Sequence, residues 1–266
     1  MNYNISTIFF SPSGTTAKVV KTIAASLGKI HKEYDLTLLK SRLEYKALTF
    51  SSKDLVIVGV PVYKGRIPDF LADYFQYFKG TNAKAVYTVV YGNRAYEDAL
   101  LELKNIFETA GFIGVAAGAF IGEHSYSGRI ASRRPDSNDL KIARDFGQKI
   151  NAKLDHLDVL SKSTLFVKGN FPYKALPPAP QIVPRTNDNC TDCSICADLC
   201  PMEAIDFNNF RDTDPTKCIL CCSCVKNCPE DAKIIVNEHI VNFTKNLISK
   251  LESIRHEPEL FLDNKD

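Results

Sequence analysis

Residues 190–201 read C-T-D-C-S-I-C-A-D-L-C-P, and residues 218–229 read C-I-L-C-C-S-C-V-K-N-C-P. Each run is C-x2-C-x2-C-x3-C-P, and the second repeats the first at an offset of 28 residues. Three thiolates at i, i+3 and i+6 on a tightly turning loop can grip three irons of one cubic cluster, so the fourth ligand has to arrive from another side. In chains with this spacing the fourth cysteine of each run serves the other run's cluster. On this spacing Cys190, Cys193, Cys196 and Cys228 hold one [4Fe–4S] cluster, and Cys218, Cys221, Cys224 and Cys200 hold a second. The proline after each last cysteine fixes φ and stops a helix from running back into the site. Eight of the nine cysteines are used, which leaves Cys222, a small residue in a tight loop or else an alternative ligand or reactive thiol. Zinc favours four ligands in two CxxC pairs, often with histidine, and no histidine stands near these runs. A disulfide framework belongs to exported chains, whereas residues 1–30 show no signal-peptide pattern. Reduced cysteines therefore lead us to expect a cytoplasmic redox protein, and exposed clusters suggest an oxygen-poor cell.

A chain of 266 residues has room for one or two domains. No apolar run approaches the length of a membrane span. The net charge of +2 hides an asymmetry. Residues 1–186 carry 25 Lys and Arg against 16 Asp and Glu, while residues 187–266 carry 8 against 15. A basic larger part and an acidic cysteine-bearing part are expected to attract each other. The sequence pI of about 8.0 and the acidic second part give no nucleic-acid footprint.

The first part alternates strand and helix patterns. Strands are expected at Tyr3–Phe10, Tyr34–Leu39, Asp54–Val60, Ala85–Tyr91 and Gly114–Ile121, several of them near-continuous apolar runs of the kind buried on both faces of a parallel sheet. Helical spacing covers Ala17–Leu27, Phe70–Phe78, Ala95–Ala110 and Ser137–Leu154, with Gly111 as a stop. This order predicts a doubly wound, five-stranded parallel sheet with helices on both faces. In such sheets ligands bind beyond the carboxyl ends of the strands. The segment after the first strand, Ser11-Pro12-Ser13-Gly14-Thr15-Thr16, leads into a helix and suits a phosphate. After the third strand comes Pro61-Val62-Tyr63-Lys64-Gly65, and after the fourth Tyr91-Gly92-Asn93-Arg94, two loops able to flank a flat aromatic ring.

The cradle fits [ST]-x-[ST]-G-x-T at Ser11, Ser13, Gly14 and Thr16, and residues 3–156 resemble the flavodoxin family. The resemblance implies FMN bound non-covalently, its phosphate on Ser11 and Ser13, Gly14, Thr15 and Thr16, and its ring system bordered by Pro61, Val62, Tyr63, Lys64, Gly65, Tyr91, Gly92, Asn93 and Arg94. Arg94 would favour added negative charge on the ring. Joined to a bacterial-type ferredoxin module, the whole chain is similar to the flavodoxin–ferredoxin fusion proteins of anaerobic bacteria. Free flavodoxins are acidic and this part is basic, so the usual flavodoxin partners are not implied. The expected division is a flavodoxin-like domain over 1–160, a linker over 161–186, a small α+β ferredoxin-like domain over 187–237, and a C-terminal helix and tail over 238–266.

The loop after the fifth strand carries His124, a candidate proton donor or an ordinary structural histidine. Arg129, Arg133, Arg134, Lys141 and Arg144 form a basic stretch that could dock an acidic ferredoxin face or simply be solvated. Residues 169–185 hold five prolines and read as an extended, semi-rigid connector. Ile240, Phe243, Leu247, Leu251 and Ile254 mark an amphipathic helix expected to pack back on the body, with a homodimer contact as the lesser option. The expected function is electron transfer between two [4Fe–4S] clusters and FMN, with a ferredoxin or a reductase- or hydrogenase-type enzyme as redox partner. The alternative is a ferredoxin-dependent flavin reductase acting on a small molecule over the flavin.

Overall fold

A computed structural model describes residues 3–156, 165–178 and 180–262. The first part runs β1 (Asn4–Phe9), α1 (Thr15–Leu27), β2 (Ile30–Asp35), α2 (Leu39–Glu44), β3 (Thr49–Phe50), β4 (Asp54–Pro61), α3 (Asp69–Phe75), β5 (Lys79–Gly80), β6 (Lys84–Tyr91), α4 (Ala99–Thr109), β7 (Ile113–Ile121) and α5 (Ser137–His156). The second part adds β8 (Arg185–Thr186), α6 (Ile195–Asp198), α7 (Ser223–Lys226), β9 (Lys233–Ile234), α8 (Glu238–Leu251) and β10 (Glu259–Phe261).

The main sheet has six strands in the order β10-β7-β6-β4-β1-β2. Its five long strands are all parallel, with Ile5 opposite Leu55, Leu55 opposite Lys84 and Lys84 opposite Ile113. Counting those five alone, the spatial order is 2-1-3-4-5, the flavodoxin-like doubly wound arrangement. Alternation along the strands sorts side chains into two cores. Val56, Val58 and Val60 of β4 join Leu71 and Phe75 of α3 and Leu103 and Phe107 of α4 on one face. Leu55 and Ile57 join Val20 and Ile23 of α1 and Phe146 and Ile150 of α5 on the other. The result is a helix–sheet–helix sandwich whose loops gather at the carboxyl ends of β1, β4, β6 and β7.

One feature corrects the expectation of a purely parallel five-stranded sheet, and two element boundaries shift. The sixth strand, β10, lies antiparallel against β7, with Leu260 opposite Gly118. It comes from the tail, where three residues after a charged stretch carry too little pattern to be seen. The second strand lies at 30–35 rather than 34–39 because it pairs only with β1 as the edge of the parallel set. Only Tyr34 of that strand is buried, so its sequence lacks the apolar run of a central strand. Helix α4 starts at Ala99 rather than Ala95, since Glu97 adopts a left-handed φ of 44° just before it. The expected domain boundary at 160/161 lies outside the described residues.

The tail is fastened as well as paired. Arg134 and Asp139, both almost wholly buried, form a two-pronged ion pair, and the Arg134 Nη1 donates to the His256 carbonyl at 2.6 Å. Arg255 reaches back to Asp136 at 2.8 Å. Removing one partner of a buried pair leaves an uncompensated charge and costs about 3–5 kcal/mol. Arg134→Leu is therefore expected to lower the urea midpoint by that order with an unchanged denaturant slope. A loss under about 1 kcal/mol would mean that the tail is held elsewhere.

Candidate functional site

The strand ends enclose one cavity of about 390 Å³. Its floor is built from the β1–α1 turn, through Ser13 and Thr15, and its sides from the loops after β4 and β6. Of the residues singled out in the sequence, Ser13, Thr15, Pro61, Val62, Tyr63, Lys64, Gly65, Tyr91, Gly92, Arg94 and His124 all line it. Four others serve it differently. Ser11 is buried, and its Oγ accepts from the Ala17 N–H at 2.9 Å, capping the first turn of α1. Gly14 precedes α1 with a left-handed φ of 77°. Thr16 is buried below the turn, and its Oγ1 has no hydrogen-bond partner among the described residues. Asn93 points away. Its Nδ2 donates to the Ile254 carbonyl at 2.7 Å and its Oδ1 accepts from the His256 N–H at 3.2 Å, so it holds the tail instead of the cavity.

The β1–α1 turn fits an anion. The first N–H groups of a helix have no partner within it. Here the Ala17 N–H is taken by Ser11 and the Gly14 N–H by the Ser11 carbonyl, which leaves those of Thr15 and Thr16. The Ser13 and Thr15 hydroxyls stand 3.1 Å apart beside them. The nearest acid in the wall, Glu123, is neutralised by Lys226 at 2.5 Å. The aromatic loops fit a flat ring, because Tyr63 and Tyr91 face the cavity while Tyr96 packs behind Tyr91 at 5.6 Å between ring centres. Tyr96 donates to Glu259 of β10 at 2.9 Å. Burial pushes the Tyr91 phenol up to about 12 and that of Tyr63 well above its usual value, so both stay neutral. Arg94 lines the cavity but pairs with Glu97 at 2.6 Å, and Glu97 also takes Lys174.

His124 lies against Gly92, where any Cβ would come within 2.6 Å of its ring. Its Nδ1 accepts from the Tyr126 N–H at 3.1 Å. Burial first, then the cations Lys226 and Arg94, lower its pKa to about 4.

The cysteines fall into two groups. One compact cavity is lined by Cys190, Cys193, Cys196 and Cys228, and another by Cys200, Cys218, Cys221 and Cys224 together with Cys222. In each, the fourth cysteine of one run meets the first three of the other. The sequence repeat reappears in the backbone: left-handed φ angles occur at Asp192 and Leu220, at Ser194 and Cys222, and at Glu203 and Asp231. The Ala204 N–H donates to the Cys200 sulfur at 3.3 Å and the Ala232 N–H to the Cys228 sulfur at 3.2 Å. Backbone N–H groups of Leu220 and Ser223 likewise reach Cys218 and Cys221. Successive inward N–H groups of this kind make a concavity suited to negative charge. Burial raises the Cys224 thiol to about 12 and Cys221 well above its usual value. No set of three or more His, Cys, Asp or Glu among the described residues converges on a point where a single metal ion would sit. Cys222 is buried at a left-handed position before α7, the place that Ser194 fills in the first run.

Ile219 and Leu220 of the second cysteine run and Pro180 also line the cavity, and the sequence reading missed them. Tyr126 of the loop after β7 lines it as well, as do Ile240 and Phe243 of α8, the helix expected to pack back on the body, with Phe243 half-exposed. The basic stretch does not meet the cysteine runs. Arg129 pairs with Glu252 just past α8, Arg134 with Asp139, and Lys141 with Asp145 one turn on. The contacts that hold the second part over the cavity are Lys226 with Glu123 and the Arg42 guanidinium with the Pro201 carbonyl at 2.5 Å. The Pro-rich connector is pinned too, because the Asn170 and Lys174 N–H groups donate to the Asp98 carboxylate at 2.8 and 2.6 Å. Arg66 stacks over Tyr173 at 4.7 Å.

No protein-family model matches the chain. Over 63 residues it is 38% identical to an uncharacterised polyferredoxin-like protein of Methanocaldococcus jannaschii, a match that covers 24% of this chain and 28% of that protein. The chain thus spans little more than a quarter of that relative's length. Among solved structures it is similar to a flavodoxin from the domain Archaea, at 13% identity and a TM-score of 0.39 over 57% of this chain and 99% of that one. It is also similar to rubredoxin oxygen:oxidoreductase from the anaerobe Desulfovibrio gigas, at 20% identity and a TM-score of 0.37 over 57% of this chain and 37% of that one. The flavodoxin-like fold of the first part rests on its strand order and register rather than on these scores. No helix among the described residues is long and apolar enough to cross a membrane.

A histidine whose folded pKa lies below its unfolded value binds fewer protons when folded, so stability falls as pH drops through that window. For His124 the window runs from the ordinary histidine value of 6.5 down to about 4. Between pH 7.5 and 5, His124→Gln is expected to lose less stability than the wild type in urea titrations. Equal losses would show that His124 is protonated in the folded protein.

Proposed function

We propose that the chain is an electron-transfer iron–sulfur flavoprotein, a flavodoxin-like FMN domain joined to a ferredoxin-like module with two [4Fe–4S] clusters. The observation that carries this reading is the pairing of each three-cysteine run with the other run's fourth cysteine, beside a cavity with an anion turn and two aromatic loops. In this reading the Ser13 and Thr15 hydroxyls and the Thr15 and Thr16 N–H groups hold the phosphate, while Ser11 and Gly14 shape the turn and the Thr16 side chain lies beneath it. Tyr63 and Tyr91, with Pro61, Val62, Gly65 and Gly92, border the ring system. Cys190, Cys193, Cys196 and Cys228 hold one cluster, and Cys218, Cys221, Cys224 and Cys200 the other. When bound, iron–sulfur clusters exchange single electrons and a flavin takes up one or two, so the pairing couples one-electron carriers to two-electron chemistry.

The chain's own groups set the surroundings. Backbone N–H groups at the cysteine sulfurs and burial are the levers that tune such clusters. Neutral His124 and the paired Glu123 and Lys226 leave little net charge at the ring end of the cavity, and Arg94 is half-compensated by Glu97. The cysteine-bearing part, Pro180 and α8 lie over the cavity. That cover supports electron transfer over a reductase that must admit a substrate above the ring. The physiological partner is proposed to be a ferredoxin or an enzyme that exchanges electrons with one.

Isolated without oxygen, the protein is expected to carry one FMN and about eight irons per chain. Cys221→Ser is expected to lower the iron count by about half, and Cys222→Ser to leave it within a tenth of wild type. Wild-type protein lacking either cofactor after reconstitution would sink the proposal. Iron loss in Cys222→Ser equal to that in Cys221→Ser would overturn the ligand set.

A further inference from the structure

The two cysteine cavities stand in different relations to the pocket at the strand ends. Cys218, Ile219 and Leu220 line both that pocket and the cavity of Cys200, Cys221 and Cys224. No described residue lines both the pocket and the cavity of the Cys190 run. The two cysteine cavities meet where Cys196 packs with Cys200 and Cys224. Exposure follows the same order, since Cys221 is buried and Cys193 is exposed. The three sites therefore form a row: the pocket, then the Cys218 run, then the Cys190 run, which opens to solvent at Cys193. At the pocket end, Tyr63, Tyr126 and the cysteine-bearing segment itself stand over the strand ends.

We infer that the two iron–sulfur sites have different roles. The Cys218 run with Cys200 forms the flavin-side site. The Cys190 run with Cys228 forms the solvent-side site, where an external one-electron carrier protein meets the chain. The inference rests on the reading that these runs hold clusters and the pocket holds FMN. It adds the order of the sites and the place of entry. Each carrier molecule is oxidised by one electron, and two carriers together with two protons from water complete the reduction of one flavin. A single residue layer, Cys218 to Leu220, separates the flavin-side site from the pocket. From the solvent-side site the whole second-run cavity intervenes, so direct exchange with the pocket is disfavoured by distance.

The test uses the full-length, cofactor-loaded protein. FMN and iron are counted first, and absence of either overturns the underlying reading and the order with it. Flavin bleaching is then followed with two reductants, a reduced bacterial-type ferredoxin and dithionite. In Cys193→Ala the ratio of the ferredoxin-driven rate to the dithionite-driven rate is expected to fall at least ten-fold. An unchanged ratio in a protein with normal FMN content overturns the order alone. A second measurement needs no variant. In wild-type protein partly reduced and mixed with a soluble nickel chelate, one cluster's EPR signal is expected to broaden and the other to stay sharp. Equal broadening of both also overturns the order.

Discussion

The second part of the chain is held at both ends to one edge of the first. Asp98, at the start of α4, takes three hydrogen bonds from Asn170 and Lys174, where the connector leaves the body. Asn93, in the loop just before α4, takes hold of residues 254 and 256, where the chain comes back. Everything between is a segment with its ends fixed a short distance apart. A tethered domain explores a volume set by its linker, whereas a segment closed at both ends pays most of its ordering entropy once, at closure. Two anchors around one loop therefore do what a large interface would otherwise have to do. They bring Ile219, Pro180 and Phe243 over the pocket, helped by contacts such as Lys226 with Glu123, Arg42 with the Pro201 carbonyl and Arg129 with Glu252.

That economy explains which parts of the molecule could be read from sequence. The cysteine spacing was legible because it repeats residue by residue at a fixed offset, and the same 28-residue repeat returns in the left-handed positions. The central strands were legible because both of their faces are apolar. The edge strand β2 was displaced by four residues because one buried tyrosine in six leaves the register nearly free. Strand β10 was not legible, since Glu259–Phe261 is recruited by hydrogen bonds to β7 and by Tyr96 rather than by its own pattern. Asn93 looked like a ring-binding loop residue and turned out to hold the tail, a role set by a partner 161 residues away. Pairings that distant leave no local signal.

Charge was only partly transferable from the sequence reading. The two parts differ strongly in net charge, and three cations of the basic part do reach acids of the acidic part, Arg129 with Glu252, Arg134 with Glu257 and Lys168 with Glu259, while Arg134 also pairs with Asp139 and Lys141 with Asp145 inside their own part. At the pocket the sign is even reversed, with an acid of the basic part meeting a lysine of the acidic part. Net charge acts over distances comparable with the screening length and governs encounter. A docked arrangement is decided by which individual groups lose their water, and Glu123 and Lys226 are both largely shielded.

The same shielding bears on the chemistry. Tyr63, Tyr91 and Tyr126 are kept as neutral phenols by burial, and His124 as neutral imidazole. Of the charges around the pocket, Lys226 is paired with Glu123, and Arg94 and Lys174 share Glu97. Where burial weakens screening, a change of charge inside is felt by whatever lies on the other side of a thin wall. That wall is the stretch from Cys218 to Leu220, in which the Leu220 N–H also serves the Cys218 sulfur. A change of charge in the pocket and one at the second cysteine run must therefore oppose each other. The Cys190 run, one cavity further out and open at Cys193, lies beyond most of that coupling.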